Sequence, residues 1–203
     1  MIRFANSLTI LIFFFLLSSA PNLGTSGTQG TPGTQATQKR PDAPQLAPYV
    51  PTGHDVVDRM LSLADVTKAD FVVDLGCGDG RIPIAAAKKY GARGLGVDID
   101  PVRIAEAQAN LKAAGVQNLV EFRLQDALKT DVSNATVVTT FLLSASNLRL
   151  RPILTKQLKP GARIVTNTFS MGDWTPSKTD TFVDATGRTR TLYLYVADGK
   201  VRQ

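Results

Sequence analysis

The chain is poor in the residues that most often carry metal, redox or nucleophilic chemistry: one cysteine, one histidine and one tryptophan in 203 residues. A lone Cys77 excludes an internal disulfide and a cysteine-rich metal site. A lone His54 makes a histidine-based zinc site equally improbable. The net charge is +6 and the pI near 9.6, yet adjacent basic residues occur only at Lys39-Arg40 and Lys88-Lys89. A scattered basic surface without a stripe does not suit a phosphate backbone, so no nucleic-acid partner is expected. No internal repeat is present. The chemistry is left to carboxylates, backbone amides, hydroxyls and aromatics.

The N-terminus reads as a separate object. Arg3 precedes an almost purely apolar run over 8–17, and the small residues Ser18-Ser19-Ala20 follow it. That is the layout of a secretory signal, short for a spanning helix. The sequence thus predicts a signal peptide or membrane anchor over 1–20, with a membrane-targeted or exported chain and a cytoplasmic one as the alternative. Residues 21–45 are dominated by Gly, Thr, Gln, Pro and Ser. They offer little to bury against the entropy of ordering, and read as a flexible linker. The folded domain is expected over 46–203.

Within it, strand-like and helix-like segments alternate. A helix is expected over 53–64, capped by Thr52 with Asp55 completing a capping box. Strands are expected over 71–74, 94–98, 120–124, 136–142 and 163–169, with helices over 82–89, 101–114 and 147–158 between them. Asp100 caps the third helix, Pro101 takes its first position and Gly115 ends it. Residues 179–183 and 190–196 read as a closing hairpin. Repeated strand–helix units imply an α/β, Rossmann-like, doubly wound and mostly parallel seven-stranded sheet with a C-terminal antiparallel hairpin.

In such a sheet ligands bind at the carboxyl ends of the strands, where strand order reverses. The run Asp74-Leu75-Gly76-Cys77-Gly78-Asp79-Gly80 lies there, between a strand and a helix. Its glycines let the backbone turn tightly and approach a bulky ligand. A nicotinamide site is the obvious rival. The dinucleotide fingerprint, however, wants its third glycine three residues after the second, and here the spacing is G-x-G-x-G. Asp74 and Asp79 add negative charge, unfavourable beside pyrophosphate and favourable beside a sulfonium and an α-ammonium group. The loop thus favours S-adenosylmethionine. Asp98, at the end of the second strand, is placed to accept from both ribose hydroxyls, with Ile99 beside it. Gln125, Asp126 and Ala127 follow the third strand, and Asp126 can accept from the adenine amino group. Purely structural readings stand beside these: Asp98 or Asp100 as a helix cap, Asp126 closing a turn. Cys77 reads as a small buried filler of the loop rather than a nucleophile, and His54 as a helix-surface residue.

The stretch from Asp74 to Arg81, followed by Gly96-Val97-Asp98, resembles the seven-stranded class I methyltransferases. More narrowly, Pro48-Tyr49-Val50-Pro51-Thr52, Ala135-Thr136-Val137-Val138-Thr139, Leu158-Lys159-Pro160-Gly161 and Trp174-Thr175-Pro176 are similar to a protein-lysine methyltransferase family. That family includes archaeal broad-specificity enzymes and mitochondrial enzymes acting on the ATP synthase c subunit and the ADP/ATP translocase. The resemblance implies a protein substrate and a role for Tyr49 and Thr52 in closing the cofactor pocket, with Asp98 on the ribose. Gly53 stands where the family often has proline, and the export-like N-terminus is foreign to its archaeal members.

Thr140-Phe141-Leu142-Leu143 replaces the Asn/Asp-Pro-Pro-aromatic signature of enzymes that methylate base amines. A lysine acceptor must lose its proton, and an apolar aromatic pocket lowers its pKa. Tyr49, Phe141 and Trp174 are the candidates for that pocket. A protein-lysine methyltransferase, a small-molecule methyltransferase and a non-catalytic cofactor-binding domain are the readings carried forward.

Overall fold

A computed structural model of the chain describes residues 41–203. The expected signal or anchor over 1–20 and the linker up to residue 40 lie outside the described residues. The order is α1 (His54–Leu63), β1 (Phe71–Leu75), α2 (Arg81–Tyr90), β2 (Arg93–Asp98), α3 (Pro101–Ala114), β3 (Val120–Leu124), a 3₁₀ turn (Ala127–Lys129), β4 (Val137–Thr140), α4 (Ser144–Gln157), β5 (Arg163–Asn167), β6 (Lys178–Val183) and β7 (Thr189–Val196). One seven-stranded sheet runs β3-β2-β1-β4-β5-β7-β6. The first five strands pair in parallel, while β7 runs antiparallel to both β5 and β6. The expected fold is the one observed.

Strand alternation sends side chains to two cores. Val72, Val137, Val165 and Leu192 face a layer formed with Val56, Met60 and Leu61 of α1 and Ile82 and Ala86 of α2. Val73, Val138, Ile164 and Tyr195 face Leu150 and Leu154 of α4. A third cluster packs Ile104, Ala107 and Leu111 of α3 on Val120 and Phe122 of β3. With both faces covered, β1 and β4 are buried along nearly their whole length, whereas the edge strand β3 alternates, with Glu121 and Arg123 exposed. Strand order reverses between β1 and β4, which opens a crevice at their carboxyl ends.

Asp100 caps α3 by accepting from the Val102 amide at 2.9 Å, and Gly115 ends it at φ +72. The capping box expected at α1 does not form. Gly53 is the N-cap and no side chain bonds there. Thr52 is buried and its carbonyl accepts from Arg81 at 2.5 Å, while the Asp55 carboxylate accepts from the Ala185 amide, in the β6–β7 turn, at 2.7 Å. Both groups are drawn to distant partners, and glycine costs little as an N-cap. Strand β4 stops at Thr140, short of the expected residue 142. Phe141 and Leu142 have left the ladder and line the crevice instead. Strand β5 ends at Asn167, because Thr168 turns to φ +69.

Candidate active site

The glycine loop folds over the end of β2. The amides of Gly76 and Cys77 both donate to the Val97 carbonyl at 2.9 Å, and the Gly78 amide donates to Asp98 Oδ2 at 2.9 Å. The other Asp98 oxygen accepts from the Asp100 amide at 2.9 Å. Gly78, at φ +54, lies under the Tyr49 ring; a Cβ added there would sit 2.5 Å from Tyr49 Cε2. Only a glycine allows that approach.

Around this loop lies a cavity of about 860 Å³, open mouth included. Its walls bring together Tyr49, Thr52, Asp74, Gly76, Cys77, Gly78, Asp79, Asp98, Ile99, Gln125, Asp126, Ala127 and Phe141. Two residues nominated from the sequence are absent from those walls. Gly80 instead caps α2 at φ +81, and a Cβ there would intrude on the Phe122 ring and the Ala107 methyl. Trp174 belongs to the core: it is 8% exposed, its ring lies 4.8 Å from that of Tyr195, and the Arg202 guanidinium covers it at 4.4 Å. The aromatic that joins Phe141 at the strand ends is Phe169, stacked on it at 6.5 Å.

Residues 44–52 form an irregular strap that makes up a whole wall. Side chains of α2, α3 and α4 help to hold it. Ser146 Oγ donates to the Leu46 carbonyl at 2.5 Å, the Arg103 guanidinium lies 4.4 Å over the Tyr49 ring, and Arg81 Nη1 donates to the Thr52 carbonyl. Of this wall only Pro44 and Gln45 fell within the expected linker; the part from Leu46 on, with Tyr49 and Thr52, was placed in the folded domain.

Arg81 was also missed, and it alters the charge balance of the site. Its Nε and Nη2 bind Asp79 Oδ1 and Oδ2 at 2.8 and 2.5 Å. Burial pushes the Asp79 carboxyl up, but the hydrogen bonds and charge of Arg81 outweigh it and leave it below the usual carboxylate range. Asp79 is therefore an ion-paired carboxylate, and the negative character expected of it is largely cancelled by Arg81. Asp74 is different. It is 2% exposed, and Thr139 Oγ1 donates to its Oδ1 at 2.7 Å. Burial first, and then the charges of Asp98 and Asp79, push it up to about 7 against the Thr139 hydrogen bond. Burial, with Asp74 and Asp98 nearby, raises the Cys77 thiol well above its ordinary value, so it is no thiolate nucleophile.

Asp126 Oδ1 accepts from the Leu128 amide at 2.9 Å and caps the 3₁₀ turn, which holds the carboxylate at the end of β3. Gln125 is oriented by Thr130 Oγ1, to which its Nε2 donates at 3.2 Å. The donor set thus combines acceptors at the ends of β1, β2 and β3, a backbone cradle at Gly78 too tight for a Cβ, and an apolar edge at Phe141 and Leu142. Such a set fits a ligand with hydroxyls, an amino group and positive charge.

Comparison with known proteins agrees. The family model of the ANTKMT methyltransferase domain matches residues 74–178. A protein-lysine N-methyltransferase of Saccharolobus islandicus (strain REY15A) is 45% identical over 150 residues, which cover 73% of this chain and 92% of that protein. The human lysine N-methyltransferase of the ATP synthase c subunit is 30% identical over 129 residues, covering 64% of this chain and 54% of that protein, so the chain spans about half its length. Among solved structures, an RNA methyltransferase from Salinibacter ruber, in complex with S-adenosyl-L-homocysteine, is 49% identical. It superposes with a TM-score of 0.70, covering 76% of this chain and 97% of that one.

Proposed function

Because the chain belongs to the ANTKMT methyltransferase domain family and is an S-adenosylmethionine-dependent methyltransferase, we propose that its acceptor is the ε-amine of a protein lysine. The observation that carries this reading is the 45% identity to a protein-lysine N-methyltransferase, spanning nearly all of that protein. Bound at the crevice, S-adenosylmethionine supplies an electrophilic methyl group on a sulfonium. The residues of this chain do the rest. Asp98 is the acceptor for ribose hydroxyls, and Gln125 and Asp126 serve the adenine. Asp74 places a carboxylate beside the cationic end, and Gly76, Cys77 and Gly78 give backbone contact. Tyr49 and Thr52 close the pocket from the strap. Methyl transfer is an in-line displacement, so positioning and the exclusion of water supply most of the acceleration. Phe141 gives the acceptor an apolar surface that favours the neutral, nucleophilic amine. No side chain is assigned as general base.

A second reading has its own support: the Salinibacter ruber relative is described as an RNA methyltransferase. Incubating the full chain with labelled methyl donor and a bacterial lysate, then separating protein, RNA and small molecules, tells the readings apart. Label on protein lysines is the expected result. Label confined to RNA or to metabolites overturns the lysine assignment, and binding without any label favours a cofactor sensor. We further propose, on the sequence of residues 1–20 alone, that the N-terminal segment directs the chain to a membrane. Among the described residues no helix is long and apolar enough to cross one.

A further inference from the structure

The carboxyl ends of β2 and β3 carry the acceptors Asp98, Gln125 and Asp126, which leaves the ends of β4 and β5 as the approach for the methyl acceptor. Phe141 follows β4 and Phe169 follows β5, and their rings stack 6.5 Å apart at an interplanar angle of 26°. Arg190, ion-paired to Asp184 at 2.7 Å, lies 6.0 Å from the Phe141 ring.

Two features hold Phe169 in this place. The first is Asn147, fully buried in α4. Its Oδ1 accepts from Thr140 Oγ1 at 3.3 Å, and its Nδ2 donates to the carbonyls of Phe169 at 2.8 Å and Ser170 at 3.4 Å. A single amide therefore ties the last residue of β4 to the loop after β5. The second is Thr168, a β-branched residue at φ +69. Its amide donates to the Thr191 carbonyl at 2.8 Å and its hydroxyl to Asn167 Oδ1 at 2.9 Å. A β-branched side chain in the left-handed region is unfavourable and persists only where its surroundings dictate it.

We propose that Phe169 and Phe141 together form the aromatic wall of the acceptor site, and that Asn147 is the positioning residue that holds the wall. The proposal deepens the methyl-transfer reading above and puts Phe169 in the role first expected of Trp174. A rigid apolar wall favours the neutral form of an amine and limits the bulk of what can reach the methyl group. The side-chain hydrogen bonds of Asn147 go to Thr140, Phe169 and Ser170 and to none of the cofactor-side carboxylates, so its effect falls on the acceptor.

The test uses the full chain and the variants Asn147→Leu, Phe169→Leu and Phe169→Tyr. The acceptor is whichever lysate fraction, protein or RNA, takes label from the wild type. Asn147→Leu and Phe169→Leu are expected to lower kcat by about ten- to a hundredfold while cofactor affinity stays unchanged, and Phe169→Tyr, which keeps the ring, to lose less than Phe169→Leu. An unaltered kcat in Phe169→Leu, or a kcat loss matched by an equal loss of cofactor affinity, overturns the proposal. Label on RNA alone defeats the lysine reading while the same ratio still judges the wall. Should neither fraction take label, n-butylamine titrated into the S-adenosylhomocysteine complex decides. Shifts of the Phe141 and Phe169 ring resonances that vanish in Asn147→Leu uphold the wall, and ring resonances indifferent to the amine reject it.

Discussion

The backbone amide of Gly78 donates to the Asp98 carboxylate, so the tip of the glycine loop is fastened to the end of β2. Since the second oxygen holds the Asp100 amide, Asp98 shapes the cradle while keeping lone pairs for a ligand. Asp98→Ala is expected to weaken S-adenosylhomocysteine binding by about 1.5–3 kcal/mol, the scale of hydrogen bonds to a charged group. Unfolding should stay cooperative, because the residue stands at a strand end. Titration calorimetry reads the result, and an unchanged dissociation constant would remove Asp98 from the site.

Asp74 gives two pH signatures. Its carboxyl sits at about 7 in the folded chain and near the ordinary 3.8 when unfolded. Between those values the folded state holds a proton that the unfolded state has released, so this group makes stability fall as pH rises through that window. Asp74→Asn should flatten that part of the stability profile. A cationic group bound beside Asp74 favours its ionised form, so cofactor binding below neutral pH should expel a proton. Calorimetry in buffers of different ionisation enthalpy measures it; identical apparent enthalpies would place the ligand's positive charge elsewhere.

Two glycines of one loop should fail in different ways. Gly80→Ala drives a methyl into the Phe122 ring at a positive φ, within the packed α3 cluster, and should cost about 1–3 kcal/mol of stability. Gly78→Ala, also at a positive φ, meets the Tyr49 ring first, on a strap outside the packed α3 cluster, so the larger loss should be in cofactor affinity. Thermal melts paired with binding curves separate the two. Equal effects of both substitutions on affinity would contradict the assignment of Gly80 to packing.

Trp174 should behave as a core residue. Trp174→Leu is expected to lower stability by about 2–3 kcal/mol through lost packing on Tyr195 and Arg202. At a temperature where the variant is folded, kcat and KM should match the wild type. A selective rise in acceptor KM would return Trp174 to the acceptor site.

The N-terminal proposal rests on Arg3 and the apolar run behind it. Cells expressing the full chain should carry it in the membrane or exported fraction, and a truncation to residues 46–203 should leave it in the soluble cytosol. The full-length chain recovered from the cytosol at undiminished size would defeat the targeting proposal.

The parts of the fold that announced themselves are those with local chemistry. Asp100, Pro101 and Gly115 each act within their own helix, so α3 was readable to the residue. The apolar alternation of β3 gave its bounds unaided. What escaped depends on partners far along the chain. Thr52 and Asp55 looked like a capping pair, but their bonds go to Arg81 and to the amide of Ala185, 130 positions away. Trp174 carried the right chemistry for an aromatic pocket, and only the register of β7, which puts Tyr195 opposite Ile164, shows it to be core. The pairing of Asp79 with Arg81 spans two residues and was legible in principle. Asn147 and Phe169 were not, since a buried amide between two strand ends leaves no periodic trace.

The strap over 44–52 belongs to no helix or strand, and this sets how ligands come and go. Its pins include one hydroxyl, one guanidinium hydrogen bond, one cation–ring contact and the packing of Leu46 and Ala47 on the core. Releasing them breaks no ladder bond of the sheet. The wall can therefore swing aside at a free energy well below that of global unfolding, on the timescale of loop motion. Product departure and donor entry become a matter of gate kinetics, and a variant such as Arg103→Ala would quicken turnover wherever release of the spent donor is the slow step.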